Sequence, residues 1–289
     1  VTINFLLENK IEIQPYLIED TEIEIIFDKS FANFGTKLRK ARGILEYLKQ
    51  NNYKEVLLTG DPNSNFMAAF STFFYLSGFE VYSVFYSKSG YKNINYYISQ
   101  KHSHHIIKLA SKLELSNIVN KLNPNIYVVP PYGITQMAID SLNLLWKNID
   151  FSKYSHFCLE IGSGLTLLSL LKYLTENQMN IQLICIAIGL KVEKLKIYLN
   201  NLFKTFLNTN LDFSNMEILT PVKYPRFGKT GEEVWEFCRK MMKSELYLEP
   251  IYSAKSLLTL KEYIKEKQNV KLAYLHQGGL PPSICNFHI

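Results

Sequence analysis

The sequence is short of paired cysteines. Cys158, Cys185, Cys238 and Cys285 lie far apart with no C-x-x-C among them. Neither a zinc site nor a disulfide framework is indicated, and a reducing compartment, the cytoplasm, fits best. No apolar run reaches the roughly 18 residues that a membrane span needs. The first residues lack the basic-then-apolar layout of a secretion signal, with a segment upstream of Val1 left open. Long basic runs are missing too: the formal charge of +6 comes from 32 basic and 26 acidic residues spread along the chain. That argues against a nucleic-acid arm and suits a small anionic ligand. His102, His104 and His105 have no carboxylate or cysteine spacing beside them, so they read as exposed side chains and not as metal ligands. The 19 tyrosines and 18 phenylalanines have no basic stripe next to them and read as core and surface filling.

What is present is a globular composition. With 289 residues and 47% hydrophobic content, the chain can bury one large core or two medium ones. Alternation in Glu22-Ile23-Glu24-Ile25-Ile26-Phe27 predicts a strand, and Leu38, Ala41, Leu45 and Leu48 predict a helix over 36–50. Strand signals follow at 55–60, 79–86 and 125–129, and helical ones at 66–76, 104–113 and 134–146. The alternation restarts after Phe151, with strands at 156–161, 181–188, 216–219 and 271–276 and helices at 165–174, 191–207, 232–242 and 254–265. Strands alternating with helices imply an α/β protein with mainly parallel sheets. No internal repeat or low-complexity linker separates the halves.

Two stretches carry chemistry. In Phe34-Gly35-Thr36-Lys37-Leu38-Arg39-Lys40 a glycine is followed by a lysine at a helix start. An amine does covalent work only when deprotonated, and burial and cationic neighbours such as Arg39 and Lys40 lower a lysine's pKa from about 10.4. Lys37 is therefore a candidate Schiff-base lysine, against the plainer reading of a solvated helix face. In Glu160-Ile161-Gly162-Ser163-Gly164-Leu165-Thr166 a strand runs into a helix, so backbone N–H groups and the hydroxyls of Ser163 and Thr166 converge on one point. That arrangement is a phosphate cradle, the turn of an S-adenosylmethionine-dependent methyltransferase, or tight strand-to-helix packing. The methyltransferase reading wants an acid at the end of the next strand, and Ala187-Ile188-Gly189-Leu190-Lys191 supplies none until Glu193.

Taken together, Gly35-Thr36-Lys37-Leu38-Arg39-Lys40, Gly60-Asp61-Pro62-Asn63-Ser64-Asn65, Gly162-Ser163-Gly164-Leu165-Thr166, Glu249-Pro250-Ile251-Tyr252-Ser253-Ala254-Lys255 and His276-Gln277-Gly278-Gly279-Leu280-Pro281 resemble, in order and spacing, the aminocyclopropane-carboxylate deaminase and D-cysteine desulfhydrase family. The resemblance spans 12–281. It implies a two-domain pyridoxal-phosphate fold type II, tryptophan synthase β-like, with a large domain of 1–51 plus 150–289 and a small one of 52–149. It also implies pyridoxal 5'-phosphate as cofactor, a small amino acid as substrate, a homodimer, and neither nucleic acid nor membrane as partner. Carried over by position, Lys37 would hold the cofactor covalently and act as base at the substrate α-carbon. Lys40 and Gly162, Ser163, Gly164, Leu165 and Thr166 would hold its phosphate. Asn65 would meet its phenolic oxygen, Tyr252 would stand by the ring, and Ser253 would face the ring nitrogen. Ser64 would take the substrate carboxylate, with Asn65, Phe66 and Phe227 around the substrate.

Three departures shape the expected activity. After the tyrosine of the fourth motif the deaminases carry an acid and the desulfhydrases a threonine; here it is Ser253. A neutral hydroxyl leaves the ring a weaker electron sink, adequate for β-elimination and less suited to opening a cyclopropane. Phe227-Gly228 stands where the family has tyrosine-glycine, and Thr36 and Asp61-Pro62 alter two loops. The resulting expectation is a lyase or deaminase that removes an α-proton and eliminates from Cβ, giving ammonia and a keto acid. The alternative is a catalytically degenerate relative that binds the cofactor or an amino acid without turnover, and the third is the methyltransferase.

Overall fold

A computed structural model describes residues 11–18, 21–28, 34–86, 93–115, 118, 125–265, 267 and 270–278. In chain order its elements are β1 (Ile11–Ile18), β2 (Thr21–Asp28), α1 (Thr36–Gln50), β3 (Glu55–Gly60), α2 (Asn65–Leu76), β4 (Glu80–Tyr86), α3 (Ile94–Lys101), β5 (His105–Leu109) and β6 (Ile126–Val128). There follow α4 (Gln136–Trp146), β7 (His156–Ile161), α5 (Leu165–Glu176), β8 (Gln182–Ala187), α6 (Val192–Leu207), β9 (Met216–Leu219), α7 (Glu232–Met242), α8 (Ser253–Lys265) and β10 (Leu272–His276). The strands form two sheets, one in the order β1-β2-β10-β7-β8-β9 and one in the order β5-β4-β3-β6. Every pairing is parallel except β1 with β2.

Parallel strands covered on both faces read as continuous apolar runs, and Val56, Leu57 and Leu58 in β3 are all fully buried. Around the larger sheet, one core gathers α4, α5 and α6, with Trp146, Leu168 and Leu199 among its members. The core on the opposite face gathers α7 and α8 through Val234, Leu257 and Leu260. Under the smaller sheet, α1 and α2 supply Leu38, Leu45, Phe70 and Phe74. Helix α1 packs with the smaller sheet and α4 with the larger. The two helices cross closely: a methyl group on Gly43 would fall 2.1 Å from the Met137 carbonyl oxygen, so only glycine fits there.

The segment expected as a helix at 104–113 is instead strand β5, paired in parallel with β4 from Tyr82 with His105 to Tyr86 with Leu109. Ile106 and Ile107 are β-branched, and β4 offers a ladder that no local helix matches. The short helix α3 and the hairpin strand β1 had no sequence signal strong enough to mark them. Gly279, Leu280 and Pro281 of the fifth motif, and Cys285, lie outside the described residues. Among the described residues, no helix is long and apolar enough to cross a membrane, and no group of three or more His, Cys, Asp or Glu side chains is placed to hold a metal. The three adjacent histidines have separate partners: Thr72 for His102, the Val81 N–H for His104, and Glu80 for His105.

Candidate active site

The ends of β7, β8 and β10 and the starts of α1, α2 and α5 surround a cavity of about 410 Å³. Eleven of the thirteen site residues expected from the sequence line it: Lys37, Lys40, Ser64, Asn65, Phe66, Gly162, Ser163, Gly164, Thr166, Phe227 and Tyr252.

Helix α1 is positioned to aim both lysines inward. Its N-cap Gly35 has φ of 60°, and a methyl group there would fall 2.2 Å from the Gln277 carbonyl oxygen, which accepts the Thr36 N–H at 3.3 Å. Only glycine tolerates both conditions. From the buried face of α1, Arg39 donates to Asp28 at the end of β2 through Nε at 2.7 Å and Nη2 at 2.9 Å, tying α1 to the larger sheet. Lys40 is buried, and Lys37 opens part of its surface into the cavity. Among the described residues, neither ammonium has an ion-pair partner within contact distance. Burial pushes Lys40 down from its ordinary 10.5 to about 7, helped by the charge of Lys37. Burial also lowers Lys37, against the opposing pull of Glu160 and Glu249.

Facing the lysines is the N-terminus of α5. Gly164 sits at its N-cap with no side-chain cap, so the first-turn N–H groups are left open to the cavity and favour negative charge. Tyr198 of α6 donates to the Ser163 carbonyl at 2.8 Å and holds the loop in place. On the other wall, Ser64 caps α2 by accepting the Met67 N–H at 3.2 Å. Asn65 follows and lines the cavity, its Oδ1 accepting from buried Asn95 at 2.7 Å, which leaves its amide nitrogen as the group free to donate elsewhere. Tyr252 lies against the glycine loop, 3.5 Å from where a methyl group on Gly162 would be. Phe227 stands edge-on to Tyr252 with ring centroids 5.8 Å apart, and is more than half exposed at the mouth.

Two expected residues are elsewhere. Leu165, the first residue of α5, has its side chain fully buried in the core beneath the helix, so only its backbone is left at the terminus. Ser253 is also off the cavity wall: its hydroxyl accepts the Glu249 N–H at 2.8 Å and donates to the Glu249 carbonyl at 3.2 Å, closing the turn that starts α8. His276 is buried behind the wall, where its Nδ1 accepts the Gly278 N–H at 3.3 Å and its ring packs on Phe27. Burial pushes it down to about 4.

The sequence reading left out Glu160, Tyr132, Tyr198 and Asn95. Tyr132 follows Pro130-Pro131 in a left-handed conformation, φ 60°, and reaches the cavity beside Phe66 with ring centroids 6.0 Å apart. Its signal was the Pro-Pro-Tyr-Gly break. Glu160 is the one carboxylate among the described lining residues. Its Oε2 accepts from the Tyr274 hydroxyl at 2.9 Å, and burial pushes its carboxyl up to about 7, with Glu249 adding to it. The wall at the end of β8 consists of Ile188, Gly189 and Leu190 and carries no second acid, as an adenosyl ribose would want.

These shifts give the apoprotein a pH signature. Between about 7 and 10.5 the unfolded chain holds a proton on Lys40 that the folded chain does not, so stability rises with pH across that window. Lys40→Met is expected to remove this dependence and to raise the melting temperature of the apoprotein at neutral pH by roughly 2–4 °C, about 1 kcal/mol in a chain of this order of size. The same variant should lose stabilisation by added inorganic phosphate. Thermal unfolding at neutral and alkaline pH, with and without phosphate, checks both.

No family model matches the chain, and no curated protein matches it in sequence. Solved structures do. The chain superposes on an ACC deaminase homologue with a TM-score of 0.79 at 20% identity, covering 96% of this chain and 92% of that one. It superposes on a hydrogen sulfide-producing enzyme from Fusobacterium nucleatum with a TM-score of 0.68 at 13% identity, covering 97% and 98%. Against serine racemase from Dictyostelium discoideum the TM-score is 0.64 at 13% identity, covering 94% and 93%. The chain has the architecture these proteins share, pyridoxal-phosphate fold type II, with mainly parallel sheets flanked by helices.

Proposed function

We propose that the cavity holds pyridoxal 5'-phosphate and that the protein is a lyase or deaminase acting on a small amino acid. One observation carries the reading. Two lysines without a contacting carboxylate among the described residues face an uncapped helix N-terminus across the cavity, an arrangement that is costly without an anion and favourable around a phosphate. The fold shared with the ACC deaminase homologue, the hydrogen sulfide-producing enzyme and the racemase supports it.

In this reading Lys40 and the N–H groups and hydroxyls of Gly162 to Thr166 would bind the phosphate, and Lys37, its pKa lowered by burial, would hold the cofactor covalently. The Asn65 amide nitrogen, oriented by Asn95, donates to the phenolic oxygen. Tyr252 covers the ring. When bound, the cofactor withdraws electrons from the substrate α-carbon. Ser64 and nearby backbone N–H groups orient the substrate carboxylate, while Phe66 and Phe227 border the space for its side chain and exclude water. The Lys37 amine, lining the same cavity, would take the proton from the substrate α-carbon. The Cβ leaving group departs with its electron pair, and hydrolysis of the released product gives ammonia and a keto acid. D-cysteine desulfhydrase-like elimination fits better than opening of a cyclopropane, because the neutral Ser253 stands where the deaminases carry an acid. The same reading takes the protein to be a cytoplasmic homodimer.

The test is the visible absorption of the purified protein with pyridoxal phosphate, followed by pyruvate release from D-cysteine and β-chloroalanine. A yellow protein that turns over either compound supports the lyase. A yellow protein inert across a panel of amino acids marks a binder, and a colourless one removes the cofactor from the reading.

A further inference from the structure

The cavity contains one feature that a phosphate site does not explain. Glu160 brings a buried carboxylate into a space otherwise built for an anion, and such a group is destabilising there unless it meets a cation. Its position is set by structure on both sides. It sits near the end of β7, two residues before Gly162; its Oε2 accepts from Tyr274 of β10, and its backbone carbonyl accepts from Gln277 Nε2 at 2.6 Å. The cofactor assigned above has three polar ends. Its phosphate goes to Lys40 and the start of α5, and its aldehyde and phenolic oxygen go to Lys37 and Asn65. The ring nitrogen remains, and Ser253, the residue whose position would have supplied its partner, is turned away and bonded to the Glu249 backbone. Tyr252, which covers the ring, lies against Gly162, so the strand end carrying Glu160 adjoins the same space.

We propose that Glu160 is the acid that meets the ring nitrogen of the bound cofactor and keeps a proton on it. This rests on the assignment of pyridoxal phosphate to the cavity. A carboxyl pushed up to about 7 shares a proton readily with a pyridine nitrogen, and the resulting pair satisfies the buried carboxylate with a cation. The electron sink is then as strong as one with an acid at position 253, so the neutral Ser253 does not weaken it, and reactions that pass charge into the ring become accessible alongside elimination.

The test is nitrogen NMR of the protein loaded with pyridoxal phosphate labelled with ¹⁵N in the ring, for the unaltered chain, Glu160→Gln and Glu160→Asp. The expected result is a protonated-nitrogen signal in the unaltered chain at neutral and mildly alkaline pH. Glu160→Gln should move that signal to the free-base position while keeping the yellow colour, and Glu160→Asp should retain the protonated signal. An identical ring-nitrogen signal in the unaltered chain and Glu160→Gln overturns the proposal, as does a free-base signal in the unaltered chain. A Glu160→Gln effect confined to the titration of the Lys37 linkage also overturns it, and makes Glu160 a counter-charge for the lysine. A protein that takes up no labelled cofactor at all is a different failure: it removes the cofactor assignment itself, and this proposal with it.

Discussion

Lys37→Ala is expected to lose the covalent, borohydride-reducible adduct with pyridoxal phosphate completely, and to lower turnover of any substrate by roughly 10²–10⁴-fold or more, the range of a missing general base. The fold should survive, because the side chain faces the cavity and contributes little to the core. Removing an amine whose charge is disfavoured by burial makes the apoprotein no less stable, since the folded chain no longer has to hold that group neutral or strip it of water. Cofactor binding should persist without the covalent bond, because Lys40 and the start of α5 remain. Borohydride reduction followed by peptide mapping gives the decisive comparison: label on the peptide containing Lys37 in the unaltered chain and none in the variant. Label that persists in Lys37→Ala would assign the nucleophile to another lysine, with Lys40 the first to check.

Asp28→Ala is expected to be the most destabilising single change near the site. The carboxylate is fully shielded and holds the Arg39 guanidinium through two hydrogen bonds, so its loss leaves a buried cation without its carboxylate. Breaking a buried pair from one side costs about 3–5 kcal/mol, a large share of the stability of a typical domain. The damage should also reach the site, because this pair joins the end of β2 to the turn of α1 that carries Lys37 and Lys40. Urea unfolding is expected to show a lower midpoint at an unchanged slope, and the affinity for pyridoxal phosphate should fall with it. Asp28→Asn keeps an acceptor for Arg39 and should lose less. A change in stability under about 1 kcal/mol for Asp28→Ala would mean that the pair contributes little beyond its desolvation.

Much of the architecture could be read along the chain because it depends on local periodicity. Leu38, Ala41, Leu45 and Leu48 mark α1 by spacing alone, and the apolar runs of β3, β7 and β8 mark buried parallel strands. Where a second element makes the choice, the local signal misled: Ile106 and Ile107 became a strand because β4 stood ready to pair with them. The same division runs through the site. Gly35-x-Lys37 and Gly162-x-Gly164 were visible as motifs because each does its work within one turn. Leu165 and Ser253 belong to such motifs yet point into a core and into a helix cap, since a motif gives a position and not the direction of a side chain.

The sequence by itself determined the order of strands and helices, the glycines that let the backbone turn at the cavity, and the lysines brought to its edge. Only the tertiary structure brought Tyr132 and Glu160 into the space that Lys37, Lys40, Asn65 and Tyr252 share, and set how burial shifts Lys40 and Glu160 there. The reason is physical. Periodicity and turn chemistry act over a few residues, whereas burial, and with it the pKa of Lys40 and Glu160, is set by neighbours that folding brings from more than a hundred residues away.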